Sequence, residues 1–265
     1  MKHFLGALLP KIDTRDYRIA AAAQEYPQAY MCEDLPPVKN QKNVGSCVAH
    51  ATSTILEWFN QQETGMHETL STHFIYGMQG VAYGRKDSGM YLRDACKIVK
   101  EYGDAPEELV PGNIEQPEAT EALSTRLNDA IYEAAKSYKV KTYAKCKTAE
   151  EMKYALMNYG PLLGAIKWYD DYDLDIDRIK FDKNSDYGYH AIMIVGWNSE
   201  GWVCRNSWGR NWGKAGLFVY PFTEKFTEVW SFVDEEGVKK PVNNKWLNYI
   251  YKLINYICNL LKRNA

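Results

Sequence analysis

The sequence predicts an α+β protein of two lobes, a helical front half followed by a strand-rich back half, with a cleft between them as the natural place for a site. Three observations lead there. Up to about residue 158 apolar residues recur at helical spacing; from 162 onward they gather into short runs separated by turn residues. The composition, 46% hydrophobic and 25% charged over 265 residues, supplies a real core and excludes disordered, collagen-like and low-complexity classes.

The elements follow in order. Residues 1 to 35 form an arm of mixed character with no sustained period, running through Asp13, Arg15, Asp16, Tyr17 and Arg18 to Pro36-Pro37. After Gly45-Ser46, apolar residues at 48, 51, 55, 58 and 59 make a helical stripe from Cys47 to Gln62 that stops at Gly65. A second helix is expected over about 90–101, with Leu92, Ala95, Cys96 and Val99 on one face and Gly103 beyond its end. Prolines at 106, 111 and 117 mark a loop, and helical patterns return near 119–136 and 148–158. Strands are expected at Leu162–Ile166, Ala191–Val195, Gly201–Cys204 and Leu217–Tyr220. The expected organisation is therefore an arm at 1–35, a domain at 36–221 divided into a helical lobe (45–136) and a strand-rich lobe (137–221), and an extension at 222–265.

Charge is distributed unevenly. The net charge of −2 offers no general field for nucleic acid. The 27 residues from Lys239 carry six Lys or Arg and no acid, leaving 26 basic against 34 acidic groups in the rest. Within 243–263, Trp246, Leu247, Ile250, Leu253, Ile254, Ile257, Leu260 and Leu261 recur at helical spacing among Lys245, Lys252, Lys262 and Arg263. Such a basic amphipathic helix packs on its own enzyme, lies on a membrane surface or docks a partner, and the pattern leaves all three open. No apolar run reaches the ~18 residues that span a bilayer, and Phe4–Leu9 is short for a signal-peptide core, so a cytoplasmic monomer is expected.

The six cysteines fall singly, without a C-x-x-C pair, so neither a zinc knuckle nor any metal or other cofactor is expected. Cys47 stands apart. At the first turn of a helix it faces unpaired N–H groups and the positive end of the dipole, which favours thiolate. Gly45 and Ser46 let a substrate backbone approach, and Gln41 supplies an amide able to donate to an oxyanion. A small core cysteine is the plainer reading. His190 opens an apolar strand and Asn206 closes the next; adjacent antiparallel strands would let the amide oxygen fix the imidazole tautomer. Singly these are a structural histidine and a turn asparagine, but with a thiol they compose the set for acyl transfer.

Pro37-Val38-Lys39-Asn40-Gln41 with Gly45-Ser46-Cys47, then Tyr189-His190-Ala191 leading to Val195-Gly196-Trp197, then Asn206-Ser207-Trp208-Gly209-Arg210-Asn211-Trp212-Gly213 resemble the papain-like cysteine peptidases over about 35–221. Cys47 precedes His190 by 143 residues and Asn206 by 159. The resemblance implies a papain-like two-lobed fold, a helical lobe against an antiparallel barrel-like one. It implies peptide-bond hydrolysis through a thioester, with Cys47 as nucleophile, His190 as base then acid, Asn206 as its orienter, and Gln41 with the Cys47 N–H as oxyanion hole. It places peptide or protein substrate near Gly45, Gly89 and Tyr189, with Trp208 shielding the His190–Asn206 bond and Trp212 flanking the cleft. An aminopeptidase or cell-wall peptide amidase using the same thiol is an alternative, as is an inactive peptide-binding protein. Val44 stands where secreted relatives carry a disulfide cysteine and Val48 where they carry Trp or Tyr, which fits a reducing compartment or a bacterial or viral member. The arm is similar to the short leaders of compact bacterial members, and two roles are open to it: restraining activity from within the cleft, or bracing the lobes.

Overall fold

A computed structural model of the chain describes residues 5–9, 13, 16–21, 24–85, 89–112, 123–175 and 178–233. The amphipathic pattern at 243–263 lies outside the described residues.

The long helix α1 (Cys47–Thr64) starts at Ser46 and ends at Gly65, whose φ of 73° lets its N–H reach the Gln61 carbonyl. All of Cys47–Phe59 except His50 is buried, which makes α1 the shared wall of both lobes. Helix α2 (Thr72–Tyr83) follows, its first turn capped by the Ser71 hydroxyl accepting from the Phe74 N–H. The sequence pattern did not reveal α2. Thr72–Gln79 is buried on every side, so no polar face alternates with an apolar one. The strand β3 (Met90–Tyr91) leads into α3 (Leu92–Glu101), two residues shorter than the expected 90–101. Within the expected 119–136, residues 123–126 are helical and α4 (Asp129–Lys136) follows from its Asn128 cap, while 119–122 lie outside the described residues; α5 (Ala149–Tyr159) carries a Thr148–Glu151 capping box.

The back half is a nine-stranded sheet in the order β4 (Thr142–Cys146), β11 (Glu228–Val233), β5 (Leu162–Tyr169), β8 (Tyr187–Trp197), β9 (Gly201–Arg205), β10 (Leu217–Pro221), β7 (Arg178–Phe181), β6 (Tyr172–Asp175), with β2 (Tyr30–Met31) on β8. Only the β10–β7 pair is parallel. Strand β11 corrects the expected lobe end at 221. It lies between β4 and β5, with Glu228 buried against Lys145 Nζ and accepting from Trp230 Nε1 at 3.0 Å. At the other boundary, Tyr30 and Met31 pair with Trp197 and Gly196, so the end of the arm is already sheet. Strand β1 (Ala7–Leu8) pairs in parallel with β3, outside the main sheet. Cys32, Cys47, Cys96, Cys146 and Cys204 are all buried free thiols.

Candidate active site

Strand β8 and helix α1 place the first two groups. Cys47 is the first residue of α1 and fully buried; its Sγ accepts from the Ala191 N–H at 3.4 Å, so the sulfur lies beside the residue that follows His190 in β8. Cross-strand pairing sets the third. Met193 lies opposite Arg205 in the β8–β9 ladder; continuing that register by one residue sets Asn206 opposite Ile192, and His190, two residues on, shares that face. Asn206 Oδ1 lies 2.8 Å from His190 Nε2 and accepts from the Ser207 N–H at 2.8 Å. An amide oxygen only accepts, so Nε2 carries the proton and Nδ1 is the nitrogen that can take one.

Aromatic rings close the far side. Trp208 stacks on the His190 ring at 4.8 Å and 28°, and Trp168 meets Trp208 edge-on at 4.7 Å and His190 at 5.3 Å. This keeps water from the His190–Asn206 bond, which strengthens it in a low-dielectric setting. Trp168 was not apparent from the sequence; the apolar run read as a strand stopped at Ile166, whereas β5 continues to Tyr169. Trp212 stands edge-on to Trp208 at 5.2 Å and donates through Nε1 to the Tyr172 hydroxyl at 3.2 Å.

The Gln41 loop is tied to the same block. Gln41 N–H donates to Ser207 O at 2.8 Å, Gly209 N–H donates to Lys39 O at 3.0 Å, and Asn40 bridges Trp208. Ser207 Oγ–H donates to Gln41 Oε1 at 2.6 Å and Gln41 Nε2 donates to Val44 O at 2.9 Å, so the amide is held at both ends beside Cys47. Below it Lys39 Nζ reaches Glu57 at 2.8 Å and Leu70 O at 2.6 Å, anchoring the loop to α1.

The cleft itself holds part of the arm. Gly6 O accepts from the Met90 N–H at 2.7 Å, and a Cβ on Gly6 would overlap the Gly45 carbonyl. A Cβ on Gly89, whose φ is 98°, would stand 2.6 Å from Gly6 O, and one on Gly188 would stand 2.7 Å from Leu5 Cδ1. The expected substrate contacts Gly45 and Gly89 thus face the arm's backbone, while Tyr189, the neighbour of Gly188, is half-buried against the core. Leu5–Leu8, part of the arm's short Phe4–Leu9 apolar run, is buried against the cleft, the first of the two placements open to the arm. One electrostatic expectation is corrected here. Burial pushes the Cys47 thiol up to about 11, although the N–H groups of Ala191, Gly6, Val48 and Cys47 each pull it down, so the covered cysteine is a neutral thiol rather than the thiolate its helix position favours.

A family model described as papain family cysteine protease matches residues 26–228. The chain belongs to that family. Among curated relatives, a gut-specific cysteine proteinase of Caenorhabditis elegans is 35% identical over 211 residues, covering 71% of this chain and 64% of its own, and mouse cathepsin K is 28% identical over 199 residues, covering 69% and 55%. The chain thus spans about 55 to 64% of the length of these relatives. In fold, it superposes on xylellain, a cysteine protease from Xylella fastidiosa, with a TM-score of 0.76 at 24% identity, covering 88% of this chain and 97% of that one. A procathepsin B of Trypanosoma congolense gives 0.67 at 16% identity, covering 88% and 87%.

Proposed function

We propose that this papain-family chain is a thiol peptidase that cuts peptide bonds through Cys47, and that residues 5–8 hold it closed. The observation that carries the chemistry is the 2.8 Å His190 Nε2–Asn206 Oδ1 contact, which fixes the tautomer that leaves Nδ1 as the acceptor. The thiol proton moves to Nδ1, the sulfur attacks the substrate carbonyl, and the developing oxyanion is held by the Cys47 N–H with Gln41 Nε2. His190 then protonates the departing amine, leaving a thioester that water hydrolyses with His190 as base. The hydrogen bond to Asn206 stabilises the imidazolium at each stage.

The closing role rests on position. Gly6 lies where a substrate carbonyl must approach the sulfur, and its carbonyl takes the Met90 N–H that an incoming peptide could otherwise use. Leu5, seated on Gly188, stands in for a substrate side chain, so the open enzyme favours peptides with a branched aliphatic residue in that pocket. Cleavage of a peptide library by the chain with its cleft opened through Gly6→Val tests this. Hydrolysis with aliphatic preference is expected, together with complete loss in Cys47→Ala and a slowing of ~10²–10³-fold in Gln41→Ala with the fold retained. Turnover surviving in Cys47→Ala contradicts the thiol mechanism, cleavage confined to amino-terminal residues assigns an aminopeptidase, and binding without cleavage assigns a peptide-binding protein.

A further inference from the structure

Next to the site, a small cavity of about 10 Å³ is lined by Lys39, His50, Thr54, Ala191, Arg205 and Asn206 among others. That is room for about one water molecule. Two of its lining side chains are buried to more than nine-tenths and each has a donor with no acceptor among the described residues: Arg205 Nη1 and Asn206 Nδ2. Arg205 spends its other terminal nitrogen on the Pro36 carbonyl. Lys39 has already given its protons to Glu57, Leu70 O and Ser53 Oγ.

The third wall is His50, one turn along α1 from the nucleophile. Its Nδ1 lies 3.0 Å from Ser46 O, an acceptor, so Nδ1 carries the ring proton and Nε2 keeps a lone pair. Burial and the nearby Lys39 charge push the imidazole down to about 4, keeping that lone pair unprotonated at neutral pH. The Thr54 hydroxyl donates to His50 O at 2.8 Å and retains accepting capacity.

Resting on the reading of Cys47, His190 and Asn206 as the catalytic set, we propose that this cavity binds a single water that accepts from Arg205 Nη1 and Asn206 Nδ2 and donates to His50 Nε2, making Arg205 and His50 positioning residues for Asn206. The physical reason is that Asn206 must present Oδ1, not Nδ2, to His190. The water gives Nδ2 an acceptor in the orientation that presents Oδ1 to His190, whereas a flipped amide would set its nitrogen against the Nε2–H of His190. Without the water the buried amide hydrogen would be left unsatisfied and the hold on this orientation weakened.

The test uses the full-length chain with nitrogen-15-labelled histidine, observing the His190 Nε2–H resonance. In the wild type and in His50→Gln, whose amide oxygen still accepts, that proton is expected to be slow to exchange. In Arg205→Met and His50→Phe it is expected to exchange ~10-fold faster, equivalent to ~1.4 kcal/mol. In the same two variants kcat for a peptide substrate falls about as much, KM holds, and the alkaline limb of the pH profile moves down because the imidazolium has lost support. Unchanged exchange and unchanged pH limb in folded Arg205→Met and His50→Phe, or a crystal structure with no water between Arg205 and Asn206, overturns the proposal. Absence of hydrolysis in the Gly6→Val chain with the exchange pattern as expected would count against the catalytic reading alone.

Discussion

Two stretches of the arm touch the enzyme in opposite ways. Residues 16–19 are bolted down by charge: Asp16 pairs with Arg93 of α3, and Arg18 Nε donates to Glu151 of α5 at 2.5 Å. Tyr17 O and the Ile19 N–H exchange backbone hydrogen bonds with Lys145 of β4 at 2.8 and 3.1 Å. These contacts join a helix of one lobe to a strand and helix of the other. Residues 5–8 instead lie in the cleft without a charged group, held by the Gly6–Met90 hydrogen bond, the short β1–β3 pairing and the close approach of Gly6 to Gly45. The difference separates anchoring from covering. On the proposed reading, the anchor would stay in place while the cover lifts, so bracing the lobes and restraining activity would belong to one arm at two positions.

The anchor's inner pair should give the largest effect. Arg93→Met leaves the Asp16 carboxylate nearly buried with its cation gone, since their side chains are only 12% and 11% exposed, and is expected to lower global stability by about 3 kcal/mol in urea unfolding. A shift of a few tenths would reduce residues 16–19 to a surface decoration. Next is the cover. In Gly6→Val the new side chain meets the Gly45 carbonyl, an overpacking cost of ~1–3 kcal/mol, so the cleft opens and initial hydrolysis by fresh protein rises ~10–100-fold with stability little changed. An unchanged rate would make the cleft segment a passive strand. Gly188→Ala tests the same cover from its side-chain end. It crowds Leu5 and the substrate residue that replaces it, so preference is expected to shift toward smaller side chains, seen as a raised KM for leucine-bearing peptides over alanine-bearing ones. The smallest effect belongs to the outer pair. Arg18 is half exposed, and Arg18→Met is expected to cost less than about 1 kcal/mol and leave the cover in place.

What the sequence made legible follows from what each residue must do. Cys47, His190, Asn206 and Gln41 were readable because their chemistry fixes residue type and the neighbouring Gly45-Ser46 and Ser207-Trp208-Gly209 blocks fix the approach. Helix α1 was readable because His50 and the residues after Phe59 break its burial into a pattern. Helix α2 carries no such contrast, and β6 and β7, with alternating charges at Asp173, Asp175, Arg178 and Lys180, look like loop until they pair with each other at the sheet edge. Strand β11 was missed because Glu228 opens it; only the fold supplies Lys145 and Trp230 Nε1 to bury that carboxylate. The raised pKa of the covered Cys47 could not be read either, since it comes from burial that only the folded chain supplies.

The central claim is that Cys47 is a nucleophile kept neutral by the segment over it, and the rate of its alkylation as a function of pH tests that most directly. In the intact chain the rate should stay low at neutral pH and rise toward a midpoint of about 11. In Gly6→Val it should be fast already at neutral pH, as a thiolate beside imidazolium requires. One profile for both proteins, fast or slow, would contradict the account.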